Sequence, residues 1–447
     1  MAIVVSQSVV VYSVAGASRA TAALLTNTST EPSSASIFRA PSETDGSDDT
    51  YPLTNNRARH IVGIDVNVSV QGHFDARFDK VAEALGKAIE NGQEVGAAIA
   101  VDIDGELVVD IWGGYADAAR TRPWRADTIV NVWSSTKTVT ALAGLMLIDR
   151  GLLKPTTPVA KVWPEFAANG KESVEFRYLL THSSGLSGWD RIDSIEDLYD
   201  WESSTARLAA QAPWWEPGSA SGYHAMTFGH LVGEVVRRVT GRTLKQFVAD
   251  EIAAPLNADF QIGARLQDAE RIAEVVPADN PMEGLPPAET WTEQMVKTFG
   301  GFFPDPAAAN TDAWRAADFG AVNGHTTARA LARILSSITL GGAVGGVRLL
   351  RPETVEKVFE VQIEGPDLVI ARHPVKWGLG FGLPEPTTLP YIPEGKICHW
   401  GGWGGSWETM NPDKRATVAY VMNKMGSGLL GSDRTERYLS LIYDALR

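Results

Sequence analysis

The segment "VWSSTKTVTALAGLMLIDRGLL" (residues 132–153) predicts a buried helix that carries a lysine in its first turn. Apolar residues recur at helical spacing from Val139 onward, with small residues between them. Arg150 and Gly151 give a basic last turn and a glycine stop, which are typical of the end of a helix. Lys137 needs an explanation, because the positive end of the helix dipole disfavours a cation in the first turn.

Ser134 lies three residues before Lys137, so that on a helical turn the two side chains share one face within mutual reach. A serine hydroxyl becomes a useful nucleophile when a neighbouring base removes its proton. A lysine can serve as that base if its pKa falls from about 10.4 to roughly 7–8, and burial and the helix dipole both lower it. The alternative is an exposed lysine beside an N-capping serine. The apolar helix favours the catalytic interpretation, since an idle lysine there would be costly.

The other common serine-hydrolase motif is missing from the sequence. No serine of the chain has glycine at both positions of a G-x-S-x-G pattern, which the α/β-hydrolase design requires. A nucleophile at Ser134 would therefore depend on Lys137.

Composition excludes several other classes of function. A formal charge of −14 over 447 residues argues against a nucleic-acid partner, which would need concentrated lysine and arginine. No apolar run reaches the roughly 18 residues of a membrane span. The single cysteine, Cys398, excludes an internal disulfide and a thiolate cluster, and the eight histidines show no ligand spacing. We therefore predict no metal and no cofactor.

The first 59 residues differ in composition from the rest. Residues 1–59 are rich in Ser, Thr, Pro and Asp, which predicts a disordered N-terminal tail. Residues 1–20 are mildly apolar but lack the positive start of a signal peptide. A cytoplasmic protein is therefore the expectation, and secretion is the alternative.

Strand patterns lie near both ends of the remaining chain, and helical patterns lie between them. Residues 94–114 predict a hairpin that turns at Asp104 and Gly105, and residues 154–370 are mostly helical pattern broken by loops. Strands are expected to return to the same sheet at 375–425. Residues 60–447 are thus predicted to form an α+β domain, an antiparallel sheet flanked by helices with a mainly helical subdomain and a cleft between the two. Other elements are predicted at 74–92, 226–241, 376–383, 396–402, 416–423 and 433–446.

Three ordered motifs resemble the serine β-lactamase and penicillin-binding-protein superfamily, and within it the class C-like carboxylesterases (family VIII esterases). The first is "SSTK" at 134–137, and the second is "GYHAMTFGHLVGEVVRRVTG" at 222–241. The third is "HWGGWGGSW" at 399–407, which carries W-G-G where β-lactamases carry K-T-G. The resemblance runs from about residue 60 to the C-terminus and implies a β-lactamase-like fold.

The resemblance also implies roles for individual residues. Ser134 would be the acylated nucleophile, Lys137 its base and Tyr223 a second acid/base group. The backbone N–H groups of Ser134 and Trp403 would form the oxyanion hole. The residues expected to line the cleft are Trp133, Trp400, Gly401 and Gly402, the glycines because they allow close approach of the substrate.

The sequence departs from the β-lactamase pattern at two of these positions. Ala225 stands where β-lactamases have an asparagine, and Trp400 stands where they have a lysine. Both changes remove groups that would hold the amide and carboxylate of a β-lactam, since an indole offers one neutral donor and an apolar face. The prediction is a carboxylesterase for small to medium uncharged esters.

Other interpretations stay open at this point. On the same fold the chain could be a β-lactamase, a D-amino-acid peptidase or amidase, or an acyltransferase, and it could also be an inactive scaffold. His224 or His399 could act as a triad histidine, whereas His182 and His325 are expected to hold loops. The aromatic content of residues 291–310 predicts one wall of the pocket. Oligomeric state and the natural substrate are not predicted.

Overall fold

The predicted hairpin forms two long neighbouring strands, β2 (Gly96–Ile103) and β3 (Glu106–Gly114). Asp104 and Gly105 both have positive φ, 58° and 87°, as a tight hairpin turn requires. This computed structural model describes residues 70–280, 286–299 and 305–447, so the predicted tail (1–59) lies outside the described residues.

Among the described residues, six strands form the main antiparallel sheet, in the order β1-β3-β2-β13-β12-β11. The strands predicted at 396–402 and 416–423 return to the sheet of the first hairpin, where the strand Ala416–Met422 pairs with β2. The strand predicted at 376–383 is wrong in extent and partner: the strand there is Pro374–Trp377, and it pairs with Ile363–Pro366 in a separate two-stranded sheet. No pattern in the sequence predicted the strand Trp407–Asn411, nor the small sheet formed by Val130–Asn131, Gly324–Thr326 and Phe260–Ile262. The other strands are β1 (Gln71–Phe74), β4 (Val130–Asn131), β5 (Phe260–Ile262), β6 (Gly324–Thr326), β7 (Ala343–Val344), β8 (Val347–Arg348), β9 (Ile363–Pro366), β10 (Pro374–Trp377), β11 (Cys398–Gly401), β12 (Trp407–Asn411) and β13 (Ala416–Met422).

The helices predicted at 74–92, 226–241 and 433–446 are confirmed as α1, α6 and α12. Within the described residues, none of the helices is long and apolar enough to cross a membrane. The α-helices are α1 (Asp79–Glu90), α2 (Thr136–Asp149), α3 (Phe176–Leu180), α4 (Glu196–Tyr199), α5 (Trp201–Ala210), α6 (Thr227–Thr240), α7 (Leu244–Val248), α8 (Glu293–Phe299), α9 (Asp312–Ala316), α10 (Ala328–Thr339), α11 (Pro352–Phe359) and α12 (Asp433–Ala445).

The alternation of side chains along β2 separates the core into two layers. Ile99 and Val101 pack with α1 and α12 on one face of the sheet, and Ala98 and Ala100 pack with α2 and α10 on the other. Helix α10 corrects the predicted subdomain boundary: it lies inside the predicted helical block (154–370), yet it packs on the main sheet.

Helix α2 is the centre of the second layer, and every residue from Thr136 to Ile148 is buried. Helix α6 crosses it closely and approaches the loop at Gly320 and Ala321 through Gly229. A Cβ at Gly229 would lie 2.5 Å from the amide nitrogen of Ala321. The glycine therefore fixes the position of the loop beside the start of α2.

Gly229→Ala should lower the free energy of unfolding by about 1–3 kcal/mol, because the added Cβ overlaps backbone that cannot rotate away. The matched control is Gly86→Ala in α1, where an added Cβ would lie 3.6 Å from a methyl group of Val70. That control should be stabilised by about 0.5–1 kcal/mol, since alanine is the better helix former. Urea unfolding measures both values, and equal stability of the two variants would contradict the packing described here.

Candidate active site

The turn that carries Ser134 is held in an unusual backbone conformation. Trp133 has φ 48°, a left-handed value that is rare for a bulky residue. Its ring packs edge-on against Trp314 at 5.4 Å and against Trp403 at 5.2 Å between centroids. These contacts oppose the strain, and the turn presents Ser134 to a cleft.

The same turn is tied to β6 by main-chain and hydroxyl hydrogen bonds. The N–H of Val132 donates to the carbonyl of Gly324 at 2.8 Å, and the N–H of Gly324 donates to the Thr136 hydroxyl at 2.8 Å. The start of α2 is thus anchored on both sides of Ser134.

Lys137 lies in the first turn of α2, as predicted, and it is buried with three polar partners. Its Nζ lies 2.9 Å from Ser134 Oγ, 2.8 Å from the carbonyl oxygen of Ala225 and 2.9 Å from that of Ala321. Burial lowers the pKa of Lys137 well below its ordinary value. No acidic residue is among these hydrogen-bond partners.

The partners of Lys137 match the valence of a neutral amine. The two carbonyl oxygens can only accept, so they take both N–H groups of an uncharged lysine. The remaining lone pair then faces Ser134 Oγ, whose proton it can accept. The same three oxygens could also accept the three N–H groups of an ammonium, so the lowered pKa of Lys137, and not the number of its partners, selects the neutral form.

Tyr223 faces this pair from the loop before α6. Lys137 Nζ lies 4.9 Å from the centre of the Tyr223 ring, and Trp400 Nε1 donates to the phenolic oxygen at 3.0 Å. Burial raises the pKa of Tyr223, and its hydrogen bonds with Ser134 and Trp400 offset only part of that rise. Burial thus favours the neutral form of the lysine and the protonated form of the tyrosine.

Asp367 positions the Tyr223 loop, and sequence reasoning missed it. Its side chain is fully buried and accepts the backbone N–H groups of Tyr223 at 3.0 Å, Val369 at 2.8 Å and Ile370 at 2.9 Å. Burial raises the pKa of Asp367, and these three donors counteract the rise. An isolated aspartate in "EGPDLVI" gave no pattern from which this contact could be inferred.

A second buried carboxyl group lies behind the nucleophile. Glu408 is opposite Trp400 in the β11–β12 ladder and lies beside the hydroxyls of Ser135 and Thr138. Burial raises the pKa of Glu408 to about 8, so at neutral pH it is mostly uncharged. The buried carboxyl group beside Ser135 and Thr138 is therefore neutral, as is the buried amine of Lys137.

The cleft in front of Ser134 has a volume of about 690 Å³ and a mainly apolar lining. Thr298 and Phe299 form part of it, which confirms the predicted wall within residues 291–310. Leu429 and Leu430 also line it; two adjacent leucines inside a Gly/Ser loop were a signal that the sequence offered. The described lining consists of Trp133, Ser134, Tyr223, Ala225, Met226, Thr298, Phe299, Val322, Ile370, Trp400, Gly401, Trp403, Leu429 and Leu430.

Gly401 and Gly402, the two glycines of the third motif, are required for a different reason from the one predicted. A Cβ at Gly401 would lie 2.2 Å from the Trp407 ring, and a Cβ at Gly402 would lie 2.2 Å from the carbonyl oxygen of Val132. Protein atoms thus occupy the space that was expected to admit substrate. Gly401 lets β11 pack against the Trp407 ring, and Gly402 lets the turn after β11 pack against the segment that leads to Ser134.

The histidines hold backbone and do not reach Ser134 in the described contacts. His224 lies 2.7 Å from Ser184 Oγ, and its pKa falls to about 3 because it is buried. His399 contacts the carbonyl of Leu383, and burial lowers its pKa to about 4. Both are therefore neutral, and the triad alternative loses its geometric basis. His182 and His325 hold loops, as predicted, through His224 N and Asn323 O.

A serine and a neutral lysine one turn apart, facing a tyrosine beside the edge of an antiparallel sheet, define a serine hydrolase with a β-lactamase-like fold. The Beta-lactamase family model matches residues 78–441, and the chain belongs to that family.

Comparison with individual proteins agrees with this assignment. The chain is 35% identical to "Esterase/beta-lactamase LipL" of Mycobacterium tuberculosis (strain ATCC 25618 / H37Rv), over 83% of this chain and 87% of the relative. It is 34% identical to "Esterase EstB" of Burkholderia gladioli over 42% of this chain and 50% of the relative. The crystal structure of a family VIII carboxylesterase superposes with a TM-score of 0.78 at 36% identity, covering 85% of this chain and 100% of that one.

Asp367→Ala should lower kcat for a p-nitrophenyl ester at least about tenfold, because three buried N–H groups lose their acceptor and the Tyr223 loop shifts. Asp367→Asn keeps an acceptor oxygen and should recover most of kcat. Steady-state kinetics measure the loss of kcat, and urea unfolding in parallel measures any loss of stability, so that the two effects are separated. An equally inactive but stable Asn variant would contradict the positioning role.

Proposed function

We propose that the protein is a carboxylesterase that hydrolyses small to medium uncharged esters through an acyl-enzyme on Ser134. The observation that carries this proposal is the contact of 2.9 Å between Ser134 Oγ and the Nζ of a buried Lys137 that has a lowered pKa and no acidic hydrogen-bond partner. The membership of the β-lactamase family and the esterase names of its relatives support the same reaction class.

In the acylation step, Ser134 Oγ attacks the ester carbonyl while Lys137 takes the hydroxyl proton. The lysine becomes an ammonium, and the carbonyl oxygens of Ala225 and Ala321 stabilise its new charge. The backbone N–H groups of Ser134 and Trp403 are proposed as donors to the oxyanion. Removing one such donor from a site of this kind typically slows the reaction about 10²–10³-fold.

Tyr223 then supplies the proton that the leaving alkoxide needs. Its raised pKa keeps it in the acid form, and the Trp400 N–H donates to the same oxygen and stabilises the developing phenolate. The Lys137 ammonium returns a proton to the phenolate. Deacylation repeats these transfers in reverse, with water in place of the alcohol.

The lining of the cleft favours an uncharged substrate. Among its described residues there is no arginine or lysine, and Trp400 occupies the position at which β-lactamases carry a cation. A carboxylate would lose its hydration there without gaining a partner. β-Lactam hydrolysis is a second candidate because the LipL relative is named for both activities, and we expect it to be slow here.

The proposal is tested with p-nitrophenyl acetate and butanoate, and with the β-lactam nitrocefin. Ser134→Ala and Lys137→Met should each lower ester turnover about 10³-fold or more. The matched control is Lys171→Met, a second buried lysine that donates to main-chain carbonyls, with its pKa lowered to about 8 by burial. That control should keep wild-type turnover. Ester hydrolysis that survives Ser134→Ala would refute the mechanism, and fast nitrocefin turnover would favour the second candidate.

The pH dependence follows from the two opposite pKa shifts. The base form of Lys137 is present above its lowered pKa, so kcat/KM should rise through that pKa and level off well below the pH at which an ordinary lysine titrates. The acid form of Tyr223 is lost only above its raised pKa, so the plateau should extend into mildly alkaline solution. A stopped-flow pH profile with p-nitrophenyl acetate checks this. A rate that rises until about pH 10, as for an ordinary lysine, would contradict it.

A further inference from the structure

A second cavity adjoins the catalytic cleft and is unused by the proposed mechanism. This distal compartment has a volume of about 1020 Å³ and lies among the loop at 187–192, Trp214 and helix α8. It shares two wall residues with the cleft, Met226 and Thr298. The two spaces therefore lie on either side of one thin partition.

Of the two residues in the partition, Thr298 is held in place and Met226 can change conformation. The Thr298 hydroxyl lies 2.7 Å from the Ser187 hydroxyl, which holds it in place. Met226 has an unbranched thioether side chain, which changes rotamer easily and adapts to what packs against it. A passage between the cleft and the compartment would therefore open by a rotamer change of Met226.

The inner surface of the compartment is aromatic and aliphatic. Trp189 donates its indole N–H to the Ser204 carbonyl at 3.0 Å, and Trp214 donates its own to Asp190 at 2.7 Å. With these N–H groups satisfied by protein, neither indole presents a free donor to a ligand. The Lys297 ammonium lies 5.7 Å from the centre of the Trp214 ring, so one face of that ring is used by protein and the other is left for a ligand. Ile192 adds to that surface.

The two cations at the rim already have acidic partners, and the Asp190 carboxylate accepts the indole N–H of Trp214. Lys297 pairs with Glu293 at 2.8 Å, and Arg191 pairs with Asp193 at 3.4 Å. The compartment is thus suited to an uncharged, apolar group of the substrate.

We propose that the distal compartment binds the far end of an unbranched acyl chain of medium length, an inference that rests on the esterase function proposed above. The alcohol side of the ester belongs at the Tyr223 hydroxyl, next to Trp400. Tyr223 and Trp400 line the catalytic cleft but not the distal compartment. The compartment is therefore assigned to the acyl side of the ester. Each methylene buried there should raise kcat/KM about two- to fourfold between butanoate and octanoate.

The test compares p-nitrophenyl butanoate, hexanoate and octanoate, below micellar concentrations, on wild type and Val296→Trp. Val296 lines only the distal compartment and is 51% exposed, so a larger side chain can be accommodated without disturbing the core. The variant should lose at least about tenfold in kcat/KM for octanoate and stay within about twofold for butanoate. The matched control is Val361→Trp, an equally exposed valine that lines neither cavity.

A second measurement locates the chain directly. The uncharged diester methyl p-nitrophenyl octylphosphonate should phosphonylate Ser134 with release of p-nitrophenolate, and a crystal structure of the adduct should place the octyl chain between Trp189 and Trp214. An octyl chain along Leu429 and Leu430 would overturn the proposal.

The outcomes separate this inference from the proposed function. If wild type hydrolyses none of the esters, the esterase function fails. If butanoate is hydrolysed normally but Val296→Trp leaves the chain-length profile unchanged, the distal compartment is not the acyl site. If Val296→Trp instead changes the profile of a butyl-to-octyl acetate series, the compartment binds the alcohol, and the acyl assignment is wrong.

Discussion

The site depends on keeping the amino group of Lys137 away from water. A lysine on an exposed first turn would be an ammonium at neutral pH and could not accept a proton. Here the fully buried helix α2 excludes solvent on one side, and two main-chain carbonyls satisfy the amine on the other. Those carbonyls come from Ala225 and Ala321, far apart in sequence. A neutral amine at Lys137 therefore requires that the segments of Lys137, Ala225 and Ala321 pack together.

The aromatic and acidic groups around Tyr223 have the opposite effect on that residue. They favour the protonated form of the phenol, whereas burial favours the unprotonated form of the Lys137 amine. A buried phenol beside Asp367 holds its proton more tightly than it would in water, while the buried amine holds its proton less tightly. One indole N–H, from Trp400, meets the phenolic oxygen. In a β-lactamase a cation stands at that position. A neutral donor can stabilise a phenolate without attracting an anionic substrate, which connects the altered motif with the apolar cleft.

Periodicity and local turn chemistry were enough to predict the hairpin, α2, α6, α12 and the Ser134–Lys137 pair, because each depends on residues close together in sequence. Tyr223 and Trp400 followed from ordered motifs. Asp367 was not predictable, since its role comes from accepting three N–H groups of another loop and leaves no spacing to read. The assignment of α10 to the helical block failed for a related reason: an amphipathic helix shows that it has a buried face, but not which layer covers that face.

The ring of Trp133 has a consequence for how activity and folding are linked. It is clamped between Trp314, which comes from the middle of the chain, and Trp403, which follows a late strand of the sheet. The left-handed backbone at Trp133 is therefore packed by residues from two distant parts of the chain. A partly folded chain with an intact sheet but a loosened helical block would relax this turn and lose its nucleophile geometry. Enzymatic activity should therefore disappear with the first cooperative unit that opens, ahead of the loss of most secondary structure.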